Sequence, residues 1–510
     1  MITLISPQKL FSASARFYIG RGGAPPLNLA YLARALDNKK IPYDVIDTLA
    51  TDNHFEIEKF EIEAHGLSFE DTVERIDPKT KVVGISSMFS NEYLIIRELI
   101  LKIKERFPQM IIILGGEHPT AFAENTLKYE PEVDYIFHGE AEESLVQFME
   151  NYRASIPLED TPGIFYRKFE NGNLEIIRNE RLPRLTDLDD HLPLWDKIPV
   201  EYYLERKLSL SRIGVKSMPI LATRGCPYKC TFCSNEKMWG TRYVMRSIES
   251  VLKEMKLYVQ VYGVEHFDFQ DLSTSINKKW FRSLLQTLKT ELPGVTWEMT
   301  VGTRSEILDE EVLLLLKESG TTQLTYAPET GSENMSKKIK KKINFEKLYS
   351  SIKTANRLGM EVKSHLIIGF PSENLIELIQ TLLLALRLGW YGVKGVSVYV
   401  FSPYPGSELF EEVYEQSKFT KDDYFNYLKY QLINSAGARV FNPRNLIKFP
   451  KEEILTFIGN VFMVLAYFCS MIRFPRRLLN LILNPLKGDP RNPLEIGIHN
   501  LLKKMMIVSK

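Results

Sequence analysis

Three of the four cysteines in this 510-residue chain lie within eight consecutive positions. Cys226, Cys230 and Cys233 follow a CxxxCxxC spacing inside residues 224–235, and a short apolar run at 219–223 precedes them. Thiolates are soft ligands that suit zinc or iron–sulfur clusters. A short loop can place three thiolates on one side of a cubane cluster, so the spacing predicts a metal site on a single loop.

The donors near this loop favour an iron–sulfur cluster over zinc. Structural zinc normally has four nitrogen or sulfur ligands, and the nearest histidines, His191 and His266, are more than thirty residues away along the chain. Three thiolates with an open fourth position suit a 4Fe–4S cluster whose last iron binds another ligand. A zinc loop and unligated thiols remain alternatives, whereas a disulfide framework is disfavoured because three clustered thiols and the distant Cys469 pair badly.

Length, charge and the first residues limit the class of protein. A chain of 510 residues predicts two or three domains. Lys and Arg total 65 against 64 for Asp and Glu, so bulk charge gives no reason to expect a nucleic-acid partner. Residues 1–6 lack a basic segment and a cleavage site, so no signal peptide is expected. Clustered reduced cysteines then indicate the cytoplasm.

The first 152 residues alternate short apolar runs with amphipathic stretches, a pattern typical of βαβ units and a parallel sheet. We therefore predict a Rossmann-like (flavodoxin-like) α/β domain over 1–152, with a solvated helical flank at 52–77. The strands are expected at 2–6, 43–47, 82–86, 110–114 and 135–137.

Small and polar residues follow three of these strands. Ligands of such sheets bind beyond the carboxyl ends of the strands. The candidate binding residues at those ends are Ser86, Ser87, Gly115, Gly116, Glu117, Gly139 and Glu140.

Strand–helix alternation resumes after a Pro- and Asp-rich stretch, which we interpret as a linker over 153–210. Six βα units over 211–410 fit a partial TIM barrel, (β/α)6, whose chemistry belongs at the carboxyl ends of its strands. The strands are expected at 219–223, 266–269, 296–301, 323–327, 362–368 and 396–401. The residues that follow them and attract attention are Asp271, Arg304, Glu329 and Gly369.

The cysteine loop, with Phe232 just before the third cysteine, resembles the cluster motif of the radical SAM enzymes. The resemblance implies that the cluster's free iron chelates S-adenosylmethionine and that an electron, from a donor such as flavodoxin or ferredoxin, cleaves it to a 5′-deoxyadenosyl radical. It also implies that Arg304 contacts the methionine carboxylate and that Glu329 and Gly369 lie in turns around the nucleoside. One turn departs from the family: Gln270-Asp271 replaces an acidic pair.

The first domain resembles the cobalamin-binding domain that is fused to many radical SAM enzymes, with residues 25–33 matching its opening helix. The resemblance implies that the nucleotide tail of cobalamin threads along the loops after the third, fourth and fifth strands. The Asp-x-His-x-x-Gly motif that supplies a cobalt ligand is absent after residue 6. Either the cobalt has no histidine below it, or the domain has lost the cofactor.

The C-terminal region, 411–510, is expected to be helical. Residues 455–472 carry no charge, and Arg473, Arg476 and Arg477 follow them. Eighteen residues are marginal for a membrane span. We interpret the run as a core or capping helix, with a span or an interfacial helix in peripheral contact with a membrane as alternatives.

The two resemblances together imply a cobalamin-dependent radical SAM enzyme that methylates an unactivated carbon of a small molecule. Relatives that act on hopanoid lipids or porphyrins have similar basic, apolar tails, which favours an apolar substrate, lipid or tetrapyrrole-like. A radical SAM cyclase of the magnesium-protoporphyrin ester cyclase kind shares every motif and remains an alternative. A non-enzymatic cobalamin or metal sensor would tolerate degraded barrel turns, and the turns here are largely intact.

Overall fold

The computed structural model describes residues 1–11, 23–212, 214–435 and 452–486, together with His499 and Leu502. Its strands are β1 (Ile2–Ser6), β2 (Lys9–Phe11), β3 (Tyr43–Asp47), β4 (His54–Ile57), β5 (Ile62–His65), β6 (Val82–Ser86), β7 (Ile111–Gly115), β8 (Tyr135–Phe137), β9 (Ile164–Glu170), β10 (Asn173–Arg178), β11 (Ser217–Ile220), β12 (Thr223–Arg224), β13 (Val244–Met245), β14 (His266–Phe269), β15 (Thr296–Met299), β16 (Gln323–Glu329), β17 (Glu361–Ile368) and β18 (Gly395–Val400).

The helices occupy most of the segments between these strands and the C-terminal region. They are α1 (Leu27–Asn38), α2 (Phe69–Glu74), α3 (Tyr93–Arg106), α4 (Glu117–Tyr129), α5 (Glu142–Ala154), α6 (Val200–Glu205), α7 (Asn235–Trp239), α8 (Ile248–Tyr262), α9 (Lys278–Glu291), α10 (Glu310–Glu318), α11 (Glu333–Lys338), α12 (Phe345–Arg357), α13 (Leu375–Trp390), α14 (Glu408–Tyr414), α15 (Lys421–Ser435), α16 (Glu452–Arg473) and α17 (Arg476–Leu486).

The first sheet has the order β3-β1-β6-β7-β8 in its parallel part, which is the flavodoxin-like arrangement. Ile2 of the central strand β1 faces Tyr43 on one side and Val82 on the other. β1 is buried along its whole length, as expected for a parallel sheet covered by helices on both faces. The predicted Rossmann-like sheet is therefore confirmed.

Two segments of the first unit differ from the sequence prediction. Strands β9 and β10 form an antiparallel hairpin that extends this sheet beyond β8, although both lie in the stretch that we assigned to the linker. The predicted helical flank at 52–77 is wrong over most of its length, because β4 and β5 pair there with β2 in a small antiparallel sheet. Only the short α2 is helical in that flank.

The second unit is a partial barrel of six parallel strands, as predicted. Strands β11-β14-β15 and β16-β17-β18 form two parallel sets, and a bridge between Thr303 and Tyr326 joins them. Each of its longer helices begins at a side chain that accepts a hydrogen bond from the first turn, which satisfies an amide that has no partner within the helix. These N-cap residues are Ser247, Asn277, Asp309, Asn344 and Asn374.

One hydrophobic core runs from helices α1 and α5 of the first unit into the barrel. Trp195, in the non-regular strap between the units, is buried in that core, and its indole nitrogen donates to the hydroxyl of Tyr258 at 2.7 Å. The amide of Leu194 donates to the carbonyl of Ala30 at 2.9 Å. The part of the strap around Trp195 is therefore packed between the two units.

The C-terminal helices divide between the two units. Tyr424 of α15 packs against Phe122 and places its hydroxyl 3.1 Å from that of Thr126, so α15 covers a face of the first sheet's helices. Helix α16 packs on α13 and β18, consistent with a capping helix. A Cβ added at Gly389 would lie 2.1 Å from the carbonyl oxygen of Ala466. Residues 436–451 and most of 487–510, which belong to the predicted helical region, lie outside the described residues.

Candidate active site

The cysteine loop begins at the carboxyl end of the first barrel strand. Gly225 opens it with φ +85°, and a Cβ there would lie 2.2 Å from the carbonyl oxygen of Arg242, so only glycine fits this turn. The amide of Cys233 donates to the carbonyl of Cys230 at 3.0 Å. The side-chain amide of Asn235, the first residue of α7, donates to the carbonyl of Cys226 at 3.4 Å.

The three thiols lie on this one loop without forming a closed metal site. Among the described residues, no group of three or more His, Cys, Asp or Glu side chains is arranged to hold a metal ion. Burial raises the pKa of the half-buried Cys226 thiol, whereas the Cys233 side chain is exposed. A soft trio with no fourth nitrogen or sulfur donor fits an iron–sulfur cluster and fits structural zinc poorly.

Arg304 reaches the loop from the end of the third barrel strand. Its guanidinium stacks on Tyr228 at 3.6 Å from the ring centroid and donates to the sulfur of Cys230 at 3.8 Å. It also donates to the carbonyl of Lys342 at 3.3 Å. The guanidinium is thus held flat beside the thiols with donor positions available, a geometry that suits bidentate pairing with a carboxylate.

The turns after the fourth and fifth barrel strands face the same loop. Glu329 has φ +63° and forms an ion pair with Lys341 at 2.5 Å, and the Lys341 ammonium lies 5.8 Å from the Phe232 ring centroid. Gly369 has φ +83°, and its amide donates to the carboxylate of Glu373 at 2.6 Å. Burial raises the pKa of Glu373 to about 7. An aromatic floor of Phe232, Phe370 and Phe401 joins these turns.

Asp271, which we expected to contact a cofactor, binds the segment that leads into the cysteine loop. It is fully buried, and its carboxylate accepts hydrogen bonds from the amide of Ala222 at 3.1 Å and the hydroxyl of Thr223 at 2.6 Å. Burial raises its pKa to about 6. Asp271 therefore positions the strand that leads into the cysteine loop.

A buried anchor of the loop is Arg224, whose partners the sequence did not reveal. Its guanidinium donates to Glu142 at 2.7 Å and to Glu140 at 3.2 Å, and it lies 4.6 Å from the Tyr31 ring centroid. Burial by itself lowers the pKa of Arg224, but Glu142 and the other partners outweigh it and hold the pKa above its usual value. Burial by itself raises the pKa of Glu142, but Arg224 outweighs it and holds the pKa below its usual value.

Gly139 and Glu140 also lie at this contact between the first unit and the barrel. Gly139 has φ +83°, and a Cβ there would lie 3.0 Å from the carbonyl oxygen of Met238. Glu140 also accepts from Arg184 at 2.7 Å. Both residues are therefore engaged in the contact between the two units, and their role along the nucleotide tail of cobalamin stays a prediction.

The other first-unit candidates form a cradle at the ends of β6 and β7. The Ser87 hydroxyl is buried and has no partner among the described residues, whereas that of Ser86 accepts from Asn28 at 2.6 Å. A Cβ at Gly116 would lie 2.3 Å from the Ser87 carbonyl oxygen, so the two loops meet backbone to backbone. A Cβ at Gly115 would have no atom within 4 Å, so there is open space at this end of β7.

Glu117, the last of these candidates, accepts a hydrogen bond from Ser234, which follows Cys233 directly. Burial raises the pKa of Glu117. Glu117 therefore connects the first unit to the cysteine loop at a second point. This point, Ser234, is ten residues after Arg224 in the sequence.

Each histidine of the first unit makes at least one contact within the protein, although the buried Nε2 of His118 has no hydrogen-bond partner among the described residues. His118 is buried against Tyr93, its Nδ1 lies 2.9 Å from the Ser90 hydroxyl, and burial lowers its pKa to about 3. His138 accepts from Arg181 at 2.7 Å. His54 and His65 lie in the small antiparallel sheet, where the former pairs with Glu63 at 3.2 Å and the latter contacts the carbonyl of Thr51 at 2.8 Å.

Comparison with known proteins matches both units to families. Residues 220–385 match the radical SAM superfamily model, and residues 21–149 match the B12 binding domain model. The chain is 28% identical over 449 residues to cytidylyl-2-hydroxyethylphosphonate methyltransferase of Streptomyces wedmorensis, covering 81% of this chain and 82% of that one. It is 25% identical over 415 residues to anaerobic magnesium-protoporphyrin IX monomethyl ester cyclase of Cereibacter sphaeroides, covering 81% and 63%.

Solved structures share the fold. The cobalamin-dependent S-adenosylmethionine radical enzyme OxsB, with aqua-cobalamin and S-adenosylmethionine bound, aligns with a TM-score of 0.65 at 15% identity, covering 99% of this chain and 75% of that one. The radical S-adenosylmethionine methyltransferase TsrM of Kitasatospora setae, with cobalamin and a [4Fe-4S] cluster bound, aligns with a TM-score of 0.63 at 15% identity, covering 81% and 78%.

The Arg224 anchor predicts a loss of stability in Glu142→Gln. The substitution leaves a buried guanidinium with one carboxylate, and we expect the free energy of unfolding to fall by about 3 kcal/mol in urea titration at neutral pH. Because the pKa of Glu142 is lowered in the folded state, this contribution is complete above the ordinary glutamate pKa and is lost as pH falls through the lowered value. Glu143→Gln, at an exposed neighbouring position, is the matched control. Equal stability of the two variants would contradict the anchor.

Arg304 predicts a loss of S-adenosylmethionine affinity. In the cluster-loaded protein, Arg304→Ala should weaken binding by about 1.5–3 kcal/mol, the scale of a hydrogen bond to a charged group. Arg304→Lys should restore only part of this, since an ammonium cannot form the planar fork. Equilibrium dialysis measures the affinity, with Arg357→Ala, at an exposed pair with Glu310, as control. Unchanged affinity in the Arg304→Ala variant would place the carboxylate elsewhere.

Proposed function

We propose that this chain, which joins a B12-binding domain to a radical SAM domain, is a cobalamin-dependent methyltransferase that acts on an unactivated carbon of a small molecule. The observation that carries the proposal is the joint between the two units. Arg224 and Ser234, on either side of the cysteines, both bind carboxylates of the first unit. The cluster loop is therefore fixed against the domain that would hold cobalamin.

Three cofactors supply the chemistry that the side chains lack: when bound, the cluster and S-adenosylmethionine furnish an electron and a 5′-deoxyadenosyl radical, and methylcobalamin furnishes the methyl group. Cys226, Cys230 and Cys233 would hold the cluster. Arg304 would bind the methionine carboxylate, from a guanidinium already fixed by its stacking on Tyr228.

The nucleoside would lie against the turns at the ends of the fourth and fifth barrel strands. Glu329 pairs with Lys341 in this structure. In the complex, Glu329 would accept a hydrogen bond from a ligand hydroxyl, or Lys341 would donate one to a ligand carboxylate. The two side chains would stay close enough to neutralise each other. Gly369 and the ring of Phe232 would form the apolar side of this pocket, over Phe370. Asp271 would act through Ala222 and Thr223 as a positioning residue.

Cobalamin would enter the cradle of the first unit. The orphaned hydroxyl of Ser87 and the open space at Gly115 are the features that a bound nucleotide tail would use, with Ser86 and Gly116 shaping the walls. Glu117, Gly139 and Glu140 would instead hold the two units in register. The side chains of Met88 and Phe89, on the loop after β6, are exposed and would contact the bound corrinoid.

The barrel interior bears on the substrate. On β17 the buried Val362 and Leu366 point to the surrounding core, so Lys363 and His365 point inward, where the His365 ring lies 5.6 Å from that of Tyr399. Burial lowers the pKa of His365, whereas the Lys363 side chain is exposed. These side chains favour a substrate that carries polar or anionic groups, even where its framework is apolar and lipid- or tetrapyrrole-like.

A radical SAM cyclase is the second candidate. The 25% identity to the anaerobic magnesium-protoporphyrin IX monomethyl ester cyclase of Cereibacter sphaeroides supports it. Either enzyme would work in the cytoplasm with a flavodoxin- or ferredoxin-like electron donor and without nucleic acid. A sensor without catalysis is less consistent with the intact turns around Arg304 and Gly369.

The cysteine assignment predicts cluster loss in single variants. After anaerobic reconstitution, replacing Cys226, Cys230 or Cys233 by Ala should remove the 4Fe–4S absorption and abolish reductive cleavage of S-adenosylmethionine, because three thiolates are the whole protein ligand set. Cys469→Ala, in α16, should keep both properties and is the matched control. Iron content and 5′-deoxyadenosine formation are measured, and retained cleavage in the Cys230→Ala variant would overturn the assignment.

The cradle predicts a corrinoid site without a histidine ligand. Gly115→Leu should abolish corrinoid retention without loss of thermal stability, because a side chain there meets open space and fills it. Glu124→Leu, on the exposed side of α4, should retain corrinoid.

In the wild type, electron paramagnetic resonance of the cobalt(II) form should lack the threefold splitting of each cobalt line that an axial nitrogen causes. A nitrogen triplet that disappears in His118→Ala would contradict the assignment, because it would show that this buried histidine ligates the cobalt. Retention of corrinoid by the Gly115→Leu variant would move the nucleotide tail out of the cradle.

A further inference from the structure

Helix α16 exposes an apolar stripe. Phe457, Val461, Phe468 and Ile472 recur at helical spacing on its outer side, with exposed fractions of 68%, 37%, 53% and 72%. No charged residue occurs between Ile454 and Ile472. By length and composition, Ile454–Arg473 could cross a membrane, and 28% of its most apolar window is buried. A helix on the surface of a protein normally presents polar residues on this side.

The neighbouring helices extend the stripe into a face. Ile376 and Trp390 of α13 are 69% and 50% exposed, and Leu479 and Leu486 of α17 are 58% and 62% exposed. The guanidinium of Arg473 lies 6.0 Å from the Trp390 ring centroid, which joins α16 to α13 at the outer surface. We call these exposed residues of α13, α16 and α17 the outer apolar face. Contiguous apolar surface of this kind marks an interaction site.

Cations border one end of the outer apolar face. Arg387, Arg473 and Arg476 are exposed there, and within the described chain none of them has a carboxylate within 4 Å. Arg477, by contrast, binds the carbonyl of Gly392 at 2.8 Å and is used inside the protein. Unpaired guanidinium groups beside an exposed tryptophan match the boundary between acyl chains and anionic headgroups.

The packing of α16 sets its orientation relative to such a surface. Its inner side contacts Gly389 of α13 through the backbone of Ala466, and Gly459 lies against Val398 of β18. Because one side of the helix remains packed on the barrel, the helix can bury only its outer side in lipid. We propose that the outer apolar face docks on a bilayer that contains anionic lipid, with α16 lying along the membrane surface.

Binding of the protein to lipid vesicles is measured without substrate, so the result is independent of the proposed methyl transfer. The full-length protein is floated with phosphatidylcholine vesicles, with and without phosphatidylglycerol. The wild type should bind, and more tightly when phosphatidylglycerol is present. Phe457→Ser/Phe468→Ser/Ile472→Ser should lower the partition coefficient about tenfold or more, because three apolar side chains no longer enter the lipid. Leu257→Ser/Val261→Ser, at exposed apolar positions of α8, should bind as the wild type does.

A second variant tests the charges without altering the apolar face. Arg387→Gln/Arg473→Gln/Arg476→Gln should lose on the order of a hundredfold in binding to phosphatidylglycerol vesicles and little to phosphatidylcholine alone. Lys253→Gln, on α8, is its control. Circular dichroism and light scattering establish the fold and the oligomeric state of every variant.

Three results would overturn the proposal. The first is a wild type that binds neither kind of vesicle. The second is a set of serine and glutamine variants, folded as the wild type, that bind phosphatidylglycerol vesicles equally well. The third is a wild-type dimer that the serine substitutions convert to a monomer with unchanged vesicle binding, which would make the outer apolar face an interface between two copies of the chain.

Discussion

A buried cation shared by two carboxylates holds this protein's two halves together. Arg224 belongs to the barrel and lies two residues before Cys226, whereas Glu140 and Glu142 belong to the fifth βα turn of the first sheet. A guanidinium removed from water is costly unless it is paired, so this group can be buried only when both units are in place. The cysteine loop therefore takes its position from the first unit as much as from the barrel that carries it.

The other joints act in the same direction. Glu117 accepts a hydrogen bond from Ser234 at the far end of the cysteine loop. Trp195 of the strap is buried between the units and donates to Tyr258. Tyr424 of α15, which follows the barrel in the chain, contacts Thr126 in the first unit. Catalysis that uses two cofactors in succession requires them to face one another at a fixed separation. Three contacts from separate parts of the chain hold the two units at a fixed separation.

The sequence predicted what depends on local pattern and missed what depends on distant pairing. All five parallel strands of the first sheet and all six of the barrel were expected, because each is an apolar run beside an amphipathic helix. The hairpin of β9 and β10 was hidden, since its outer positions are largely exposed and charged and read as a linker. Arg224 and Glu142 are 82 residues apart, and the spacing of apolar residues in the sequence cannot predict such a distant pair. For the same reason the contacts that Gly139 and Glu140 make with the barrel were not foreseen.

The central claim is that a radical and a methyl donor act in succession in one molecule, and the two products of S-adenosylmethionine report it directly. The anaerobically reconstituted protein, loaded with cluster and cobalamin, is given a reductant, S-adenosylmethionine with a deuterated methyl group, and a metabolite extract that contains the substrate. The account predicts 5′-deoxyadenosine and S-adenosylhomocysteine in equal amounts, with the deuterated methyl group in a new product. Formation of 5′-deoxyadenosine without S-adenosylhomocysteine would contradict methyl transfer and indicate a cyclase.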